Sequence, residues 1–174
     1  DLLSEEILQR KKVEKSLLNS EEKYSNLFEQ AGEYIIVLEP QPDRSLMIVD
    51  ANQSALDKHG YTREEFIGKS IADLDDNDVS DEQRADRIKQ LMSGKNIMFE
   101  VKHVRKDGSI FFAEASVKKF ESDGRILFVS IERDITECKQ ILDALQKSEE
   151  RYRLLFQSYM GFASHEIICD ENGK

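Results

Sequence analysis

The amino-acid sequence predicts an α+β domain: a five-stranded antiparallel sheet with short helices on one face, flanked by long N-terminal and C-terminal helices. Three observations lead to this prediction. Segments with the period-two alternation of strands occur as an early pair and a late group of three. Helical periodicity fills the interval between these groups, and long apolar stripes precede the first strand and follow the last. Strands joined by short turns pair antiparallel, and helices between them cover one face of the sheet.

The two long helices carry related sequences, which sets the predicted domain organisation. The motif at 20–28 returns at 148–156, a separation too large for a solenoid repeat and typical of a domain repeat. The sequence therefore predicts one complete domain and the opening of another. The predicted segments are an amphipathic, coiled-coil-type linker helix at 1–28, a domain at 29–134, a second linker helix at 135–156 and a truncated second domain at 157–174.

The five strands are predicted from alternation and from the turns between them. Residues 40–43 contain two prolines and an aspartate, which favour the turn of a first hairpin. The pair Asp107-Gly108 favours a tight hairpin turn, and 122–124 ends in another Asp-Gly pair. The strands themselves are predicted at 34–38, 46–49, 97–104, 111–118 and 126–133.

Three short helices are predicted between the second and third strands from their capping residues. Asn52 is an N-cap type, and Ser80 with Gln83 has the spacing of a capping box. Each helix stops at a glycine, the residue that most readily adopts the left-handed C-terminal conformation. The predicted helical segments are 52–60, 62–68 and 80–94.

Composition excludes several functional classes. The net charge of −10 argues against a nucleic-acid partner, because phosphate binding needs clustered Lys and Arg. No apolar run is long enough to cross a bilayer, so we expect no membrane contact by this fragment, although the parent protein could be anchored elsewhere. Cys138 and Cys169 form neither a disulfide framework nor a metal-binding spacing, and a cytoplasmic setting is the expectation.

Several short motifs occur in an order and spacing typical of one family. They are Asp50-Ala51-Asn52, Gly60-Tyr61-Thr62, Gly68-Lys69-Ser70, Lys106-Asp107-Gly108-Ser109 and Asp134-Ile135-Thr136-Glu137. Together they resemble a PAS sensor domain of bacterial or archaeal signalling proteins, with a PAC-type C-terminal part, over residues 20–137. Residues 148–174 resemble the start of a second PAS domain. The resemblance implies a tandem-PAS signalling protein, usually a sensor histidine kinase of a two-component phosphorelay and less often a cyclic-dinucleotide enzyme.

PAS domains are known with several cofactors, and the residue types here count against each. A flavin photoadduct needs a cysteine where Ile71 stands, and His103, Ala113 and Glu132 occupy positions where the flavin branch has amides. The haem branch takes a histidine from the long helix, and 81–94 contains none. A covalent hydroxycinnamoyl group needs a core cysteine, and both cysteines lie outside the predicted core. We therefore expect neither flavin nor haem, while an unidentified small molecule stays open.

A cavity between the sheet and the long helix is the candidate ligand site. Strand alternation turns residues of the last three strands towards the helix, and small side chains among them leave space. The candidate pocket residues are His103, Ala113, Ala115, Ser130 and Glu132 on the strands, with Ile88, Leu91 and Met92 on the helix. His103 and Glu132 could orient a polar or charged ligand. Alternatively, they bond one another and bulky helix residues fill the space.

No catalytic or metal site is predicted. The acidic stretch at 73–82 lacks the glycine and glutamate that an EF-hand loop needs. Residues 164–167 resemble the phosphoacceptor box of histidine kinases, but 168–173 predicts a strand entering a turn, so we assign this segment to the second PAS domain. His59, beside Lys58 on a short helix, is expected at the surface. This fragment is not expected to be an enzyme, whereas its parent is expected to be a protein histidine kinase.

The predicted function is signal relay. The resemblance implies that Asp134 and Thr136 couple the last strand to the outgoing helix, and either residue can cap free amides at a helix start. The apolar stripes of 2–28 and 135–156 predict a homodimer through the flanking helices, or docking of these helices on the outer face of the last strand. The expected partners are neighbouring PAS and output domains. The alternative is a ligand-free structural spacer and dimerisation module.

Overall fold

A computed structural model describes residues 2–43, 45–76 and 79–171. The chain divides into two compact units between Asp134 and Ile135. The first unit contains the sheet and the helices that precede its last three strands, and the second consists of one long helix, α5 (Thr136–Glu171). Among the helices of the described ranges, none combines the length and the apolar character that a membrane span requires.

Five strands form one sheet, as the sequence predicts. They are β1 (Tyr34–Pro40), β2 (Leu46–Ala51), β3 (Ile97–Val104), β4 (Ile110–Ser122) and β5 (Arg125–Asp134). Their order in the sheet is β2-β1-β5-β4-β3, and every neighbouring pair is antiparallel. Because the chain leaves β2 at one edge and enters β3 at the other, the intervening helices cross one face. We call the face that these helices cover the inner face of the sheet. The sheet and its covering helices confirm the predicted fold class.

The remaining helices begin and end close to the predicted positions. They are α1 (Leu2–Glu29), α2 (Gln53–His59), α3 (Arg63–Phe66) and α4 (Asp81–Met92), with a single 3₁₀ turn at Ile71–Asp73. The side chain of Asn52 accepts a hydrogen bond from the amide of Ala55, which caps α2. Ser80 and Gln83 form the expected capping box at the start of α4. Gly60 ends α2 with φ 76°, a left-handed conformation that a side chain would strain.

The hydrophobic core fills the space between the inner face of the sheet and the short helices. Its largest apolar side chains with no solvent exposure are Phe66, Phe111, Phe128, Ile36, Ile48 and Leu74. Burial of each such side chain contributes about 2 kcal/mol of transfer free energy. Since these residues come from β1, β2, β4, β5, α3 and the turn after Asp73, their packing fixes the helices against the sheet.

The segment before α4 is attached to the edge strand β3. The amide of Val104 donates to the carbonyl oxygen of Leu74 at 2.7 Å, and the amide of Asp76 donates to that of Lys102 at 2.9 Å. These bonds cover part of an edge that would otherwise expose unpaired backbone groups. They also place Asp75 opposite His103.

The C-terminal helix differs from the prediction. Helix α5 continues through Glu171, so the strand predicted after residue 167 is wrong. A strand needs a neighbouring strand to satisfy its backbone groups, whereas a helix satisfies them internally. The end of the predicted turn, at 172–173, lies outside the described residues. The division into a linker helix at 135–156 and a second domain at 157–174 remains a prediction.

Candidate functional site

A cavity of about 450 Å³ lies between α4 and the inner face of the sheet. Most of its wall is apolar and is supplied by Leu38, Leu46, Ile71, Ile88, Leu91, Ile97, Phe99, Val101 and Val117. Polar side chains also line it, among them Asp75, Arg84, His103, Ser130 and Glu132. A largely apolar pocket with a few polar groups is the usual form of a small-molecule site.

His103 and Glu132 form a buried pair across the inner face. His103 lies on β3 and Glu132 on β5, with β4 between them. The Nε2 atom of His103 lies 3.1 Å from Oε2 of Glu132, and both residues are 2% exposed or less. Ser130, two residues earlier on β5, donates its hydroxyl hydrogen to Oε1 of Glu132 at 2.8 Å. Both carboxylate oxygens of Glu132 therefore have partners within the protein.

The two charges of this pair stabilise one another. Burial raises the pKa of Glu132, but the imidazole of His103, together with His59 and the hydroxyl of Ser130, lowers it by more, and the net pKa is lowered. Burial lowers the pKa of His103, yet the carboxylates of Glu132 and Asp75 raise it overall. The directions agree with an ion pair between a protonated imidazole and a carboxylate. This is the pairing that the sequence analysis kept as the alternative to ligand orientation, and in the structure it coexists with an adjacent cavity.

Arg84 and Asp75 form a second polar pair at the cavity wall. Their Nη2 and Oδ2 atoms are 3.5 Å apart, and Nη1 of Arg84 also lies 3.3 Å from Oδ1 of Asp81. Burial raises the pKa of Asp75, partly offset by His103 and Arg84. The Nε–H group of Arg84 is buried and has no hydrogen-bond partner within the described residues. A buried donor without an acceptor is costly, so this atom is a place where a ligand acceptor would be stabilised.

His59 is buried, in contrast to its predicted surface position. It has no solvent exposure, and its ring centroid lies 5.1 Å from those of Phe66 and Phe111 and 5.2 Å from that of His103. Its Nδ1 atom lies 2.8 Å from the carbonyl oxygen of Ala55. Burial, followed by the positive charge of His103, lowers its pKa to about 4.

The reason for this burial was present in the sequence. Ala55, Leu56 and His59 recur at helical spacing and form the inner face of α2, while Asp57 is exposed. The predicted surface position relied on Lys58, the charged residue directly before His59. The Nε2 atom of His59 has no hydrogen-bond partner in the described parts of the chain.

The structure brings most of the predicted pocket residues to the cavity. His103, Ser130, Glu132, Ile88 and Leu91 line it. Ala113 and Ala115 are buried in the core, on the inner face, but are not part of the cavity wall.

Met92 is 44% exposed, and its predicted inward orientation is wrong. It follows Leu91 directly, and successive helix positions differ in direction by about 100°. Once Leu91 is buried, Met92 therefore turns towards solvent at the end of α4.

The predicted coupling residues lie at the boundary between strand and helix. Asp134 ends β5 and forms an ion pair with Lys58 of α2. The Nζ atom of Lys58 also lies 5.1 Å from the ring centroid of Phe111, within the range of a cation–π contact. Thr136 is the first residue of α5.

Comparison with known proteins places these features in context. The family model of the PAS domain matches residues 33–137. The methyl sulfide methyltransferase-associated sensor of Methanosarcina acetivorans is 24% identical over 163 residues, which is 88% of this chain but 16% of that protein. The chain therefore spans about a sixth of the length of this relative.

Solved structures share the fold. The PAS domain of an HTR-like protein from Haloarcula marismortui is 28% identical, with a TM-score of 0.64, covering 72% of this chain and 99% of that one. A PAS domain from a two-component sensor histidine kinase is 22% identical, with a TM-score of 0.55, covering 68% and 98%.

A Light-Oxygen-Voltage domain studied with a flavin analogue is also similar, at 22% identity and a TM-score of 0.52, covering 69% of this chain and 88% of that one. At that identity the likeness concerns the fold alone. Whether this chain binds flavin therefore depends on its own residues. Ile71, the residue that the resemblance matches to the photoadduct cysteine, lines the cavity.

Proposed function

The chain belongs to the PAS domain family, and from that premise we propose that it is a sensor module whose cavity takes up a small molecule. The observation that carries the proposal is the cavity of about 450 Å³ between α4 and the sheet. This volume lies within the roughly 300–1,000 Å³ of typical small-molecule pockets. The apolar wall favours a largely apolar ligand, and the unpartnered Nε–H of Arg84 favours one that carries a hydrogen-bond acceptor.

The signal would leave the cavity through α2. The ring of His103, at the cavity wall, lies 5.2 Å from the ring of His59. Lys58, the neighbouring residue on α2, pairs with Asp134 at the end of β5. A ligand that displaces His103 would therefore shift α2 and change its hold on Asp134. We infer that this biases α5 between two arrangements and passes the change to the following domain.

The parent protein that fits this module best is a sensor histidine kinase of a two-component system. Two observations support this proposal: a methanogen relative is described as a sensor, and a PAS domain of a sensor histidine kinase shares the fold. A tandem arrangement with a second PAS domain, and a cytoplasmic location, belong to the same proposal. A cyclic-dinucleotide signalling enzyme is the alternative parent.

A ligand-free dimerisation module is the second candidate function, because the flanking helices expose apolar stripes. Ile7 is 49% exposed, Leu17 59% and Leu145 63%. The stripes on α1 and α5 have related sequences, so a second copy of this chain is their natural partner. Sedimentation velocity tests this candidate: replacing Leu17 and Leu145 by Glu should convert a dimer into a monomer.

Native mass spectrometry of the purified chain separates the two candidates. The variant Ile88→Phe places a bulkier, aromatic side chain at the cavity wall, whereas Met92→Phe places the same side chain on the exposed side of α4. We expect the wild-type chain and Met92→Phe to retain a small molecule, and Ile88→Phe to lose it. Absence of a bound molecule from all three proteins, with an unchanged dimer, would favour the spacer.

A further inference from the structure

Three buried side chains from separate elements converge beside the cavity. They are His59 of α2, His103 of β3 and Glu132 of β5, each 2% exposed or less. One ring nitrogen of each histidine and one carboxylate oxygen of Glu132 all lie within 4.8 Å of one another. The sequence predicted no metal site, because these positions are far apart in the chain and show no ligand spacing.

The hydrogen bonds of the two histidines orient their Nε2 atoms towards this point. Nδ1 of His59 faces the carbonyl oxygen of Ala55, which can only accept, so Nδ1 carries the hydrogen and Nε2 has a free lone pair. Nδ1 of His103 faces the carbonyl oxygen of Leu74 at 3.3 Å and Oδ1 of Asp75 at 3.5 Å. Its Nε2 atom faces Glu132, and a metal ion bound there would displace the proton that Nε2 carries in the ion pair. A metal-binding histidine typically donates its other ring hydrogen to a carbonyl or carboxylate in this way.

We propose that His59, His103 and Glu132 bind one divalent transition-metal ion, with Zn²⁺ as the best-fitting ion. The Nε2 atom of His59 is the observation that singles out this cluster. It is fully buried, belongs to a member of the cluster and finds no hydrogen-bond partner in the described residues. A metal ion would accept the lone pair of this nitrogen, which receives no hydrogen bond from any described residue.

The donor set suits this class of ion. Two imidazole nitrogens and one carboxylate oxygen form a known zinc-binding set that leaves a further coordination position open. Tetrahedral zinc bonds of about 2.0–2.2 Å place ligand atoms about 3.3–3.6 Å apart. Nε2 of His103 and Oε2 of Glu132 already lie 3.1 Å apart, and all three ligand atoms lie within 4.8 Å of one another, so His59 would have to close by no more than about 1.5 Å. Ca²⁺ and Mg²⁺ prefer oxygen ligands, whereas two of the three donors in this cluster are imidazole nitrogens. The carboxylates of Glu132 and Asp75 would balance the two positive charges.

This inference deepens the proposed function, since His103 and Glu132 also line the cavity. A metal ion here would join the cavity wall to His59 and hence to α2. Its open position would be available to a donor atom of the molecule in the cavity. Only the role of the metal ion in linking the bound molecule to α2 rests on the proposed sensor function. Metal binding itself can be tested independently.

The test is a Zn²⁺ titration of the full chain after removal of metal with EDTA, in competition with a chromophoric chelator. We expect one Zn²⁺ per chain, with an affinity that Ca²⁺ and Mg²⁺ do not affect. His59→Phe should lower the affinity at least about 10-fold. Mutation of a residue that only supports a ligand typically costs about 10–100-fold, and loss of the ligand itself should cost no less. Asp57→Asn removes an exposed carboxylate from the same helix and should leave the affinity unchanged.

A second variant keeps the test decisive if His59→Phe does not fold. Glu132→Gln preserves the size of the side chain and should also lose Zn²⁺ affinity while keeping a native circular dichroism spectrum. Unchanged affinity in either folded variant would mean that surface carboxylates bind the ion and would overturn the proposal. Ile88→Phe should retain Zn²⁺ binding. If the chain binds Zn²⁺ tightly but retains no small molecule, only the ligand proposal is contradicted. If it retains a small molecule but does not bind Zn²⁺, only the metal site is contradicted.

Discussion

Lys58 on α2 forms an ion pair with Asp134, the last residue of β5. The side chains are 23% and 24% exposed, so solvent screens the pair less than a surface ion pair. The pair connects the helix that contacts His103 to the residue from which the chain enters α5. The ion pair is therefore a contact through which the coupling role predicted for Asp134 could operate.

The strength of this connection can be measured with a double-mutant cycle. We expect a coupling free energy of about 1 kcal/mol between Lys58→Met and Asp134→Asn, from urea denaturation of the two single variants and the double variant. Met preserves the apolar part of the lysine stem beside Phe111. The exposed pair between Lys147 and Asp143 on α5 is the matched control and should couple more weakly. Additive effects at Lys58 and Asp134 would remove this pair from the proposed relay.

His103 should tolerate removal of its partner Glu132 only when the imidazole itself is removed as well. Glu132→Leu leaves the His103 imidazole buried without its carboxylate, and we expect the free energy of unfolding to fall by about 3–5 kcal/mol. The double variant His103→Leu/Glu132→Leu replaces the pair with apolar side chains and should recover most of that loss.

Urea denaturation in EDTA measures both variants of the pair. A double variant as unstable as the single one would show that the hydrogen bonds of the pair to Leu74 and Ser130 matter more than the balance of its charges.

The elements of the fold could be predicted because their signals are local. Asn52 and Ser80 cap helices through hydrogen bonds to residues three positions away, and Asp107-Gly108 forms its turn within four residues. The order of the strands in the sheet is not a local property. The sequence predicted five antiparallel strands but not their order, since alternation alone does not reveal which strands are neighbours.

The site could be predicted only in part, because several of its features depend on contacts between residues that are distant in the chain. Alternation along β3 and β5 correctly turned His103 and Glu132 inward. The spacing of His59 along α2 was a local signal for its burial, but the ring of Phe111 that packs against it is distant in the chain. The unpartnered Nε of Arg84 likewise results from how α4 packs against the sheet. At the end of α4, neighbouring residues differ in burial: Leu91 is buried and Met92 is exposed, and the sequence pattern did not distinguish them.

Asn52 should resist replacement by Asp, although both residues are good N-caps. Its side-chain oxygen accepts hydrogen bonds from the amides of Ile35 and Ala55, and its nitrogen donates to the carbonyl oxygens of Phe28 and Glu33. A carboxylate cannot donate and would face two carbonyl oxygens in a site with no solvent exposure. We therefore expect Asn52→Asp to cost at least about 3 kcal/mol, as much as Asn52→Ala.

Ser80 provides the control for this prediction, because it lies at the surface and its side chain caps α4 by accepting from the amide of Gln83. Ser80→Ala should cost about 1 kcal/mol, and Ser80→Asp close to nothing. Thermal and urea denaturation of the four variants measures the contrast. A mild effect of Asn52→Asp would mean that the bonds to Phe28 and Glu33 contribute little.

The stability of the metal-free domain should fall on mild acidification because of His59. Burial lowers the pKa of His59 to about 4 from its ordinary value of 6.5, so the folded chain excludes a proton that the unfolded chain binds. This contribution is complete above about pH 6.5 and is lost as the pH falls towards 4. Between pH 7 and pH 5 it amounts to about 2 kcal/mol.

The matched comparison is His59→Phe, which keeps an aromatic ring beside Phe66 and Phe111 but cannot bind a proton. Urea denaturation of both proteins in EDTA, at pH 7 and pH 5, should show a larger loss for the wild-type chain by about 2 kcal/mol. Glu132 and Asp75 titrate in both proteins, and so does His103, whose raised pKa acts in the opposite direction. Their effects largely cancel in the difference. Equal losses in the two proteins would show that the imidazole of His59 is not held neutral by its burial.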